Sequence, residues 1–182
     1  MKKSIIIISG SLLFLFACTS AKDKLKAKIV ANEKILLADE MVTPKEDSLA
    51  NILIADFQTY AKENPDDTLA VDYLYKAAEY SKGISKFKQA VDIYGVIFAK
   101  YPQSKQAANS LFLQAFTYQT AINDTAKAKL IFKDFIAKYP NHPFVKDAKF
   151  SLEQMENKLS DDEIVAGFMK KLEDKKQKKS VQ

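Results

Sequence analysis

Apolar residues recur at helical spacing through most of the chain, and prolines interrupt the pattern at intervals. Leu49, Leu53, Phe57 and Tyr60 form one such stripe, which ends at Pro65. Residues three or four positions apart lie on the same face of an α-helix, so this spacing indicates helices with one buried face. The chain has only 4 glycines and no run of alternating β-branched residues. We therefore expect an all-α protein without a sheet.

Three prolines divide the helical segments at nearly constant intervals. Pro65, Pro102 and Pro140 are separated by 37 and 38 residues. A proline ends a helix because it lacks the amide hydrogen and collides with the preceding turn. A fixed period in this range predicts stacked helical hairpins, each packing on its neighbours.

Residues of matching size also repeat at a separation of 38. The pairs are Tyr73 with Leu111, Ala77 with Ala115, Tyr80 with Tyr118, Ala90 with Ala128, Tyr94 with Phe132, Ile97 with Phe135 and Pro102 with Pro140. This order of large, small, aromatic, alanine, aromatic and closing proline resembles the tetratricopeptide repeat. The resemblance implies a short solenoid of antiparallel helix pairs over residues 44–160, clearest over 67–140.

The N-terminus has the design of an export signal. Met1-Lys2-Lys3 is followed by an almost wholly apolar stretch, then Ala17 and Cys18. This stretch is too short to span a bilayer, and residues 1–17 are interpreted as a signal peptide. A cysteine directly after the small residue resembles the lipobox of bacterial lipoproteins, which implies cleavage and lipid attachment at Cys18. The alternative is an ordinary signal with a chance cysteine. Residues 18–43 are expected to form a tether with a weak first helix.

Composition argues against several classes of function. The net charge of +5 is concentrated in a tail that holds six lysines between Lys170 and Lys179, and the chain has no arginine, the residue on which phosphate and base recognition often depends. We therefore expect no nucleic-acid binding. The single cysteine and the lone His142 offer no metal site, and no cofactor motif is present. The acidic pairs at Asp66 and Asp161 open helices, where capping explains them better than catalysis. We expect a protein that is not an enzyme.

The repeat resemblance also implies a partner-binding surface. In the family, the first helix of each repeat lines a concave face. Mapped onto this chain, that face would carry Val71, Leu74, Ala78, Asn109, Phe112, Phe116 and Gln119. Phe112 and Phe116 could form an exposed apolar patch for a partner peptide or helix, or be covered by a neighbouring helix and be structural.

A lipid anchor joined to such repeats resembles the outer-membrane assembly lipoproteins of the BamD type. The Lys-Tyr-Pro endings at Tyr101 and Tyr139 also resemble the repeat domain of periplasmic Tol-Pal coordinators, which act in cell division. The resemblance implies a scaffold or adaptor that binds envelope proteins, for example β-barrel assembly components, on the outer membrane facing the periplasm. A small-ligand-binding lipoprotein is the other alternative. Residues 161–182 are expected to form a capping helix and a lysine-rich tail.

Overall fold

The computed structural model describes residues 20–38, 44–157 and Met169, and these form an all-α solenoid. Its helices are α1 (Ala21–Ala38), α2 (Pro44–Glu63), α3 (Thr68–Gly83), α4 (Phe87–Lys100), α5 (Lys105–Thr117), α6 (Thr125–Lys138) and α7 (Val145–Glu156). The described residues contain no strand, which confirms the all-α prediction. Residues 1–19, 39–43 and 158–182 apart from Met169 lie outside the described part. The signal peptide, the lipid site and the lysine-rich tail therefore stay predictions.

Each helix packs against the next one along the chain, so the helices form two layers. We call the layer of α1, α3, α5 and α7 the odd face, and the layer of α2, α4 and α6 the even face. On the odd face, Lys76 of α3 bonds Glu33 of α1 at 2.8 Å. On the even face, Gln89 of α4 donates to Gln58 of α2 at 3.4 Å. The layers follow from short loops, which force consecutive helices to run antiparallel.

The repeated small and aromatic residues meet between the layers. Ala77 of α3 and Ala90 of α4 are completely buried. Phe57 of α2 lies with its ring centroid 5.2 Å from Tyr73 and 5.8 Å from Tyr80. Alanine allows the helix axes to approach and the aromatic rings fill the space beside them, as close packing requires. The repeat seen in the sequence is thus a repeat of packing positions.

The first helix is an integral part of the array. Ile29 of α1 is completely buried, and Lys28 bonds Asp56 of α2 at 2.8 Å. Lys22 forms an ion pair with Asp67, the N-cap residue directly before α3. The expected weak helix therefore exists, but its contacts make it a packed hairpin partner of α2 instead of a free linker.

The period of 38 exceeds the 34 residues typical of the repeat family, and the turns absorb part of the excess. After α5, a π-helical turn covers Tyr118–Ile122 and ends at Asn123, which has a left-handed φ of 60°. After α3, Ser85 has a φ of 59°. Asparagine tolerates this region because its short polar side chain bonds locally. The turns after α3 and α5 therefore hold part of the extra length.

Prolines also stand near the starts of two other helices. α2 begins at Pro44, at the first helical position that proline favours. After Pro140, residues 141–144 form turns, and α7 begins at Val145. α7 packs on α6 as the first helix of a further, partial repeat.

Candidate partner-binding site

The predicted face on α3 is largely buried. Leu74 and Ala78 have 6% and 0% of their surface exposed, while Val71 is half-buried. α2 and α4 both pack on α3 and cover this side of it. On the odd face, α3 instead presents Asp72, which accepts a hydrogen bond from Gln106 of α5, and the exposed Lys76. Leu74 and Ala78 are therefore not exposed on the odd face, and their assignment to partner binding stays a prediction.

The predicted pair on α5 is divided between core and surface. Phe112 is 8% exposed, and its ring lies 5.6 Å from Phe132, 5.5 Å from Phe135 and 4.7 Å from Phe144. Phe116 stacks on Phe112 at 6.1 Å and is 41% exposed. Of the two alternatives left open by the sequence, the structural one holds for Phe112. Only Phe116 of this pair therefore offers an exposed ring to a partner.

The last two predicted residues are half-buried. Asn109 lies on the first half of α5, and Gln119 lies in the π-helical turn with its Oε1 atom buried and without a hydrogen-bond partner in the described part of the chain. Their assignment to partner binding, like that of Val71 and Phe116, stays a prediction.

A groove lies on the even face, between α2 and α4, and the sequence did not predict it. Its volume is about 820 Å³, and Leu74 of α3 lies at its floor. Gln58, Ala61, Lys62 and Pro65 line the α2 side. The α4 side and the following turn are lined by Lys88, Gln89, Asp92, Ile93, Val96, Lys100 and Tyr101.

The groove has an apolar floor and a basic rim. Ala61, Leu74 and Ile93 are buried, whereas Lys62, Lys88 and Lys100 are exposed. Three lysines face one carboxylate, that of Asp92. None of the three lysines forms an ion pair with another residue that the structure describes. A smaller depression of about 420 Å³ shares Pro65, Lys100 and Tyr101 with the groove and extends towards Thr68, where Asp66 and Asp67 line it. Of these two carboxylates, that of Asp67 pairs with Lys22.

The next repeat carries larger residues at the equivalent positions. Phe98 stands 37 residues after Ala61, and Phe112 stands 38 residues after Leu74. Both rings belong to a hydrophobic cluster whose buried residues come from α5, α6 and α7. Phe112 is one of these buried residues, and Phe98 packs against them. The signal for the groove was therefore present in the sequence, as an alanine and a leucine where the following repeat has two phenylalanines.

A network of polar side chains holds the end of α2, the start of α3 and the start of α1 together. Asp67 caps α3 by accepting a 2.8 Å hydrogen bond from the Leu69 amide, and Tyr60 donates to it at 3.0 Å. The bond from Lys22, together with these donors, lowers the pKa of Asp67 to about 2. In the same network, burial and the carboxylate of Asp67 raise the pKa of Tyr60. The expected capping role of Asp67 is confirmed, whereas Asp161 lies outside the described residues.

The described residues provide no constellation for metal chemistry. No group of three His, Cys, Asp or Glu residues there could hold a metal ion. His142 is half-buried in the turn after Pro140, where its Nδ1 atom accepts a 3.3 Å hydrogen bond from the Phe144 amide. This bond gives the imidazole a local structural role. None of the described helices is both long enough and apolar enough to cross a lipid bilayer.

Comparison with known proteins identifies the repeat. A family model described as a tetratricopeptide repeat matches residues 109–142, which supports a tetratricopeptide-repeat protein. The matched segment covers most of α5, the π-helical turn and α6. No curated protein matches the chain. Tetratricopeptide repeats in general are scaffolds for protein–protein interaction, so the match indicates protein partners as a class.

Proposed function

We propose that this protein is a lipid-anchored adaptor that holds another protein of the cell envelope through its helical repeats. The observation that carries the proposal is the tetratricopeptide match in an array whose even face retains an open groove with an apolar floor. Because surface concavities of this kind are where partners and ligands bind, the groove gives the adaptor a place of contact. The array needs no catalytic group for this task.

The proposed anchor rests on Cys18 and the apolar segment before it. α1 begins at Ala21, three residues after Cys18, and a chain of three residues reaches about 10 Å at most. Since α1 packs on α2 and pairs with Asp67, lipid on Cys18 would hold the array itself close to the membrane. We propose the outer membrane facing the periplasm as its location, with outer-membrane protein assembly as the process and the Tol-Pal type of coordination as the alternative.

A lipid-attachment experiment tests the anchor. The protein purified from membranes should carry two or three acyl chains on Cys18, visible as an increase in intact mass, and Cys18→Ser should be released as a soluble, folded protein. A membrane-bound Cys18→Ser chain with unchanged mass would contradict the anchor. A tetratricopeptide array that stays helical after release would show that the anchor only tethers.

A crosslinking experiment tests the adaptor. Mild crosslinking in intact membranes, followed by purification and mass spectrometry, should recover a defined envelope protein. Recovery of β-barrel assembly components supports the assembly role, whereas Tol-Pal or division proteins support the coordinator. Recovery of no protein partner at all contradicts the adaptor.

The groove also favours a second candidate, capture of a small molecule. Its volume of about 820 Å³ lies within the range of small-ligand sites. Native mass spectrometry of the protein as purified should then show a bound compound of defined mass that is lost when the groove is filled by Leu74→Phe. Detection of the unliganded mass alone contradicts this candidate.

A further inference from the structure

We propose that the even-face groove between α2 and α4 binds an acidic peptide segment of a partner protein, with apolar side chains on the groove floor and carboxylates at the lysine rim. This inference rests on the proposed adaptor function and assigns it a site and a ligand chemistry. The site lies on the even face, and it includes Leu74 from the residues that the repeat resemblance had assigned to partner binding.

The floor sets the apolar part of the ligand. Leu74, Ile93 and Ala61 are buried below the groove, and Val96 is 37% exposed on its wall. The wall from Lys88 to Lys100 consists of thirteen helical residues, and the rise between the first and the last is about 18 Å. This length accommodates several consecutive residues of a peptide, and side chains such as leucine or phenylalanine would remove the exposed apolar surface from water.

The rim sets the charge of the ligand. Lys62 and Lys100 stand at the end of the groove near Pro65, and Lys88 stands at the other end. Comparison with the next repeat shows why Lys100 is available. Its equivalent, Lys138, pairs with Asp134 four residues earlier and lies 5.2 Å from the ring centroid of Phe98. Four residues before Lys100 stands Val96, so this internal partner is missing and a ligand carboxylate can take its place.

Charge complementarity also argues against the chain's own lysine-rich tail as the occupant. Residues 170–179 carry six lysines against two acidic residues. A basic segment would meet the three rim lysines with like charges, which is unfavourable at close range. A segment rich in aspartate and glutamate gains from the same rim, and its association should weaken as salt is added.

Selection from a random library of 12-residue peptides tests the proposal, with the full mature chain (residues 18–182) as target. Selected peptides should be enriched in aspartate and glutamate next to large apolar residues. A synthetic peptide of the selected consensus should bind at least tenfold more weakly to Val96→Glu, which places a charge on the wall. The matched control is Leu130→Glu on α6, where an exposed leucine lies away from the groove. This control should bind the peptide as the wild type does.

Two further variants separate shape from charge. Ala61→Phe with Leu74→Phe fills the groove with the residues that the next repeat uses, and it should abolish binding while the chain remains helical. Lys62→Glu with Lys100→Glu leaves the floor intact and should shift the selection towards basic peptides. If the filled variant does not fold, Val96→Glu alone keeps the test decisive, because it alters only a partly exposed side chain.

Several outcomes would overturn the proposal. Selected peptides without acidic enrichment would show that the ligand is not an acidic segment. Peptides whose binding Val96→Glu leaves unchanged would show that the groove is not the site. Dimerisation that Val96→Glu removes would identify a second copy as the occupant. If Val96→Glu still crosslinks the same envelope partner, the adaptor function stands and only the assigned site fails. If peptides bind as described but no envelope partner is recovered, the site stands and the adaptor function fails.

Discussion

Two spaces separate neighbouring helices of the even face, one between α2 and α4 and one between α4 and α6. We call them the open interval and the filled interval, because equivalent backbone positions carry side chains of different size in the two. Between α2 and α4, Ala61 and Leu74 leave a groove of about 820 Å³. At the equivalent positions between α4 and α6, Phe98 and Phe112 belong to a hydrophobic cluster. The repeat therefore determines where the helices lie, while the size of two side chains decides whether the space between them is core or binding surface.

The contacts of the equivalent lysines also differ between the two intervals. Lys138 is held by Asp134 and lies over the Phe98 ring. Lys100 has valine in place of that aspartate and alanine in place of that ring, so neither contact is available to it. A filled interval thus keeps its lysine occupied, and an open interval leaves its lysine for a ligand.

The largest expected effect on stability distinguishes the buried Phe112 from the exposed Phe116 on the same helix. Phe112→Ala removes a buried ring that lies against four other phenylalanines, so it should lower the free energy of unfolding by about 3–5 kcal/mol. Phe116→Ala is the matched control on the same helix, and it should cost less than about 1 kcal/mol because that ring is 41% exposed. Chemical denaturation followed by circular dichroism measures both. Equal losses would mean that Phe112 is not a core residue.

Much of this architecture is predictable from the sequence, for a physical reason. The alanines at a separation of 38 are buried, and the aromatics are buried or half-buried, because helix pairs approach closely there, so periodicity locates the layers. Periodicity does not decide which neighbour covers a side chain. Leu74 and Ala78 satisfy the family pattern for an accessible face, yet Ala78 is completely buried and Leu74 lies at the floor of the groove. The groove arises where the two repeats differ, at Ala61 and Leu74, so the residues that the repeats share do not predict it.

A smaller effect should follow when the filled interval is partly opened. Phe98→Ala introduces the residue that Ala61 provides in the first interval, and it should cost about 1–3 kcal/mol because the ring is only half-buried. Lys138→Gln is its companion variant, which removes the cation above the ring and should cost about 0.5–1 kcal/mol. Thermal denaturation measures both. If Lys138→Gln costs as much as Phe98→Ala, the lysine and not the ring supports this interval.

Replacing Gly83 or Gly95 by alanine should change the free energy of unfolding differently. A Cβ atom at Gly95 would lie 2.8 Å from Nε2 of Gln114, the atom that donates to the Val91 carbonyl, whereas a Cβ atom at Gly83 meets nothing within 4 Å. Gly83→Ala should raise the free energy of unfolding by about 0.4–1 kcal/mol, because alanine restricts the unfolded chain. Gly95→Ala should give no gain or a small loss, because disturbing the hydrogen bond of Gln114 costs about 1 kcal/mol and offsets the effect on the unfolded chain. Paired urea titrations compare them, and equal gains would show that Gln114 adjusts without loss.

The smallest effect concerns the helix starts that flank the groove, where Asp67 and Ser104 hold equivalent positions. Asp67 caps α3 with its carboxylate, while Ser104 begins α5 without a side-chain capping bond. The donors around Asp67 lower its pKa to about 2, so its stabilising contribution is complete above its ordinary value of 3.8 and is lost as the pH falls from about 4 to 2. Asp67→Asn should therefore reduce the melting temperature at pH 6 and lessen its further decline towards pH 2.

Ser104→Ala provides the control for this comparison, because it removes a side chain that makes no capping bond and carries no charge. It should leave the pH dependence of the melting temperature as in the wild type. A decline towards pH 2 that is the same in Asp67→Asn and in the wild type would show that other carboxylates control acid unfolding. In that case the junction of α1, α2 and α3 would depend on the packing of Ile29 and Tyr60, which are both completely buried, rather than on the charge of Asp67.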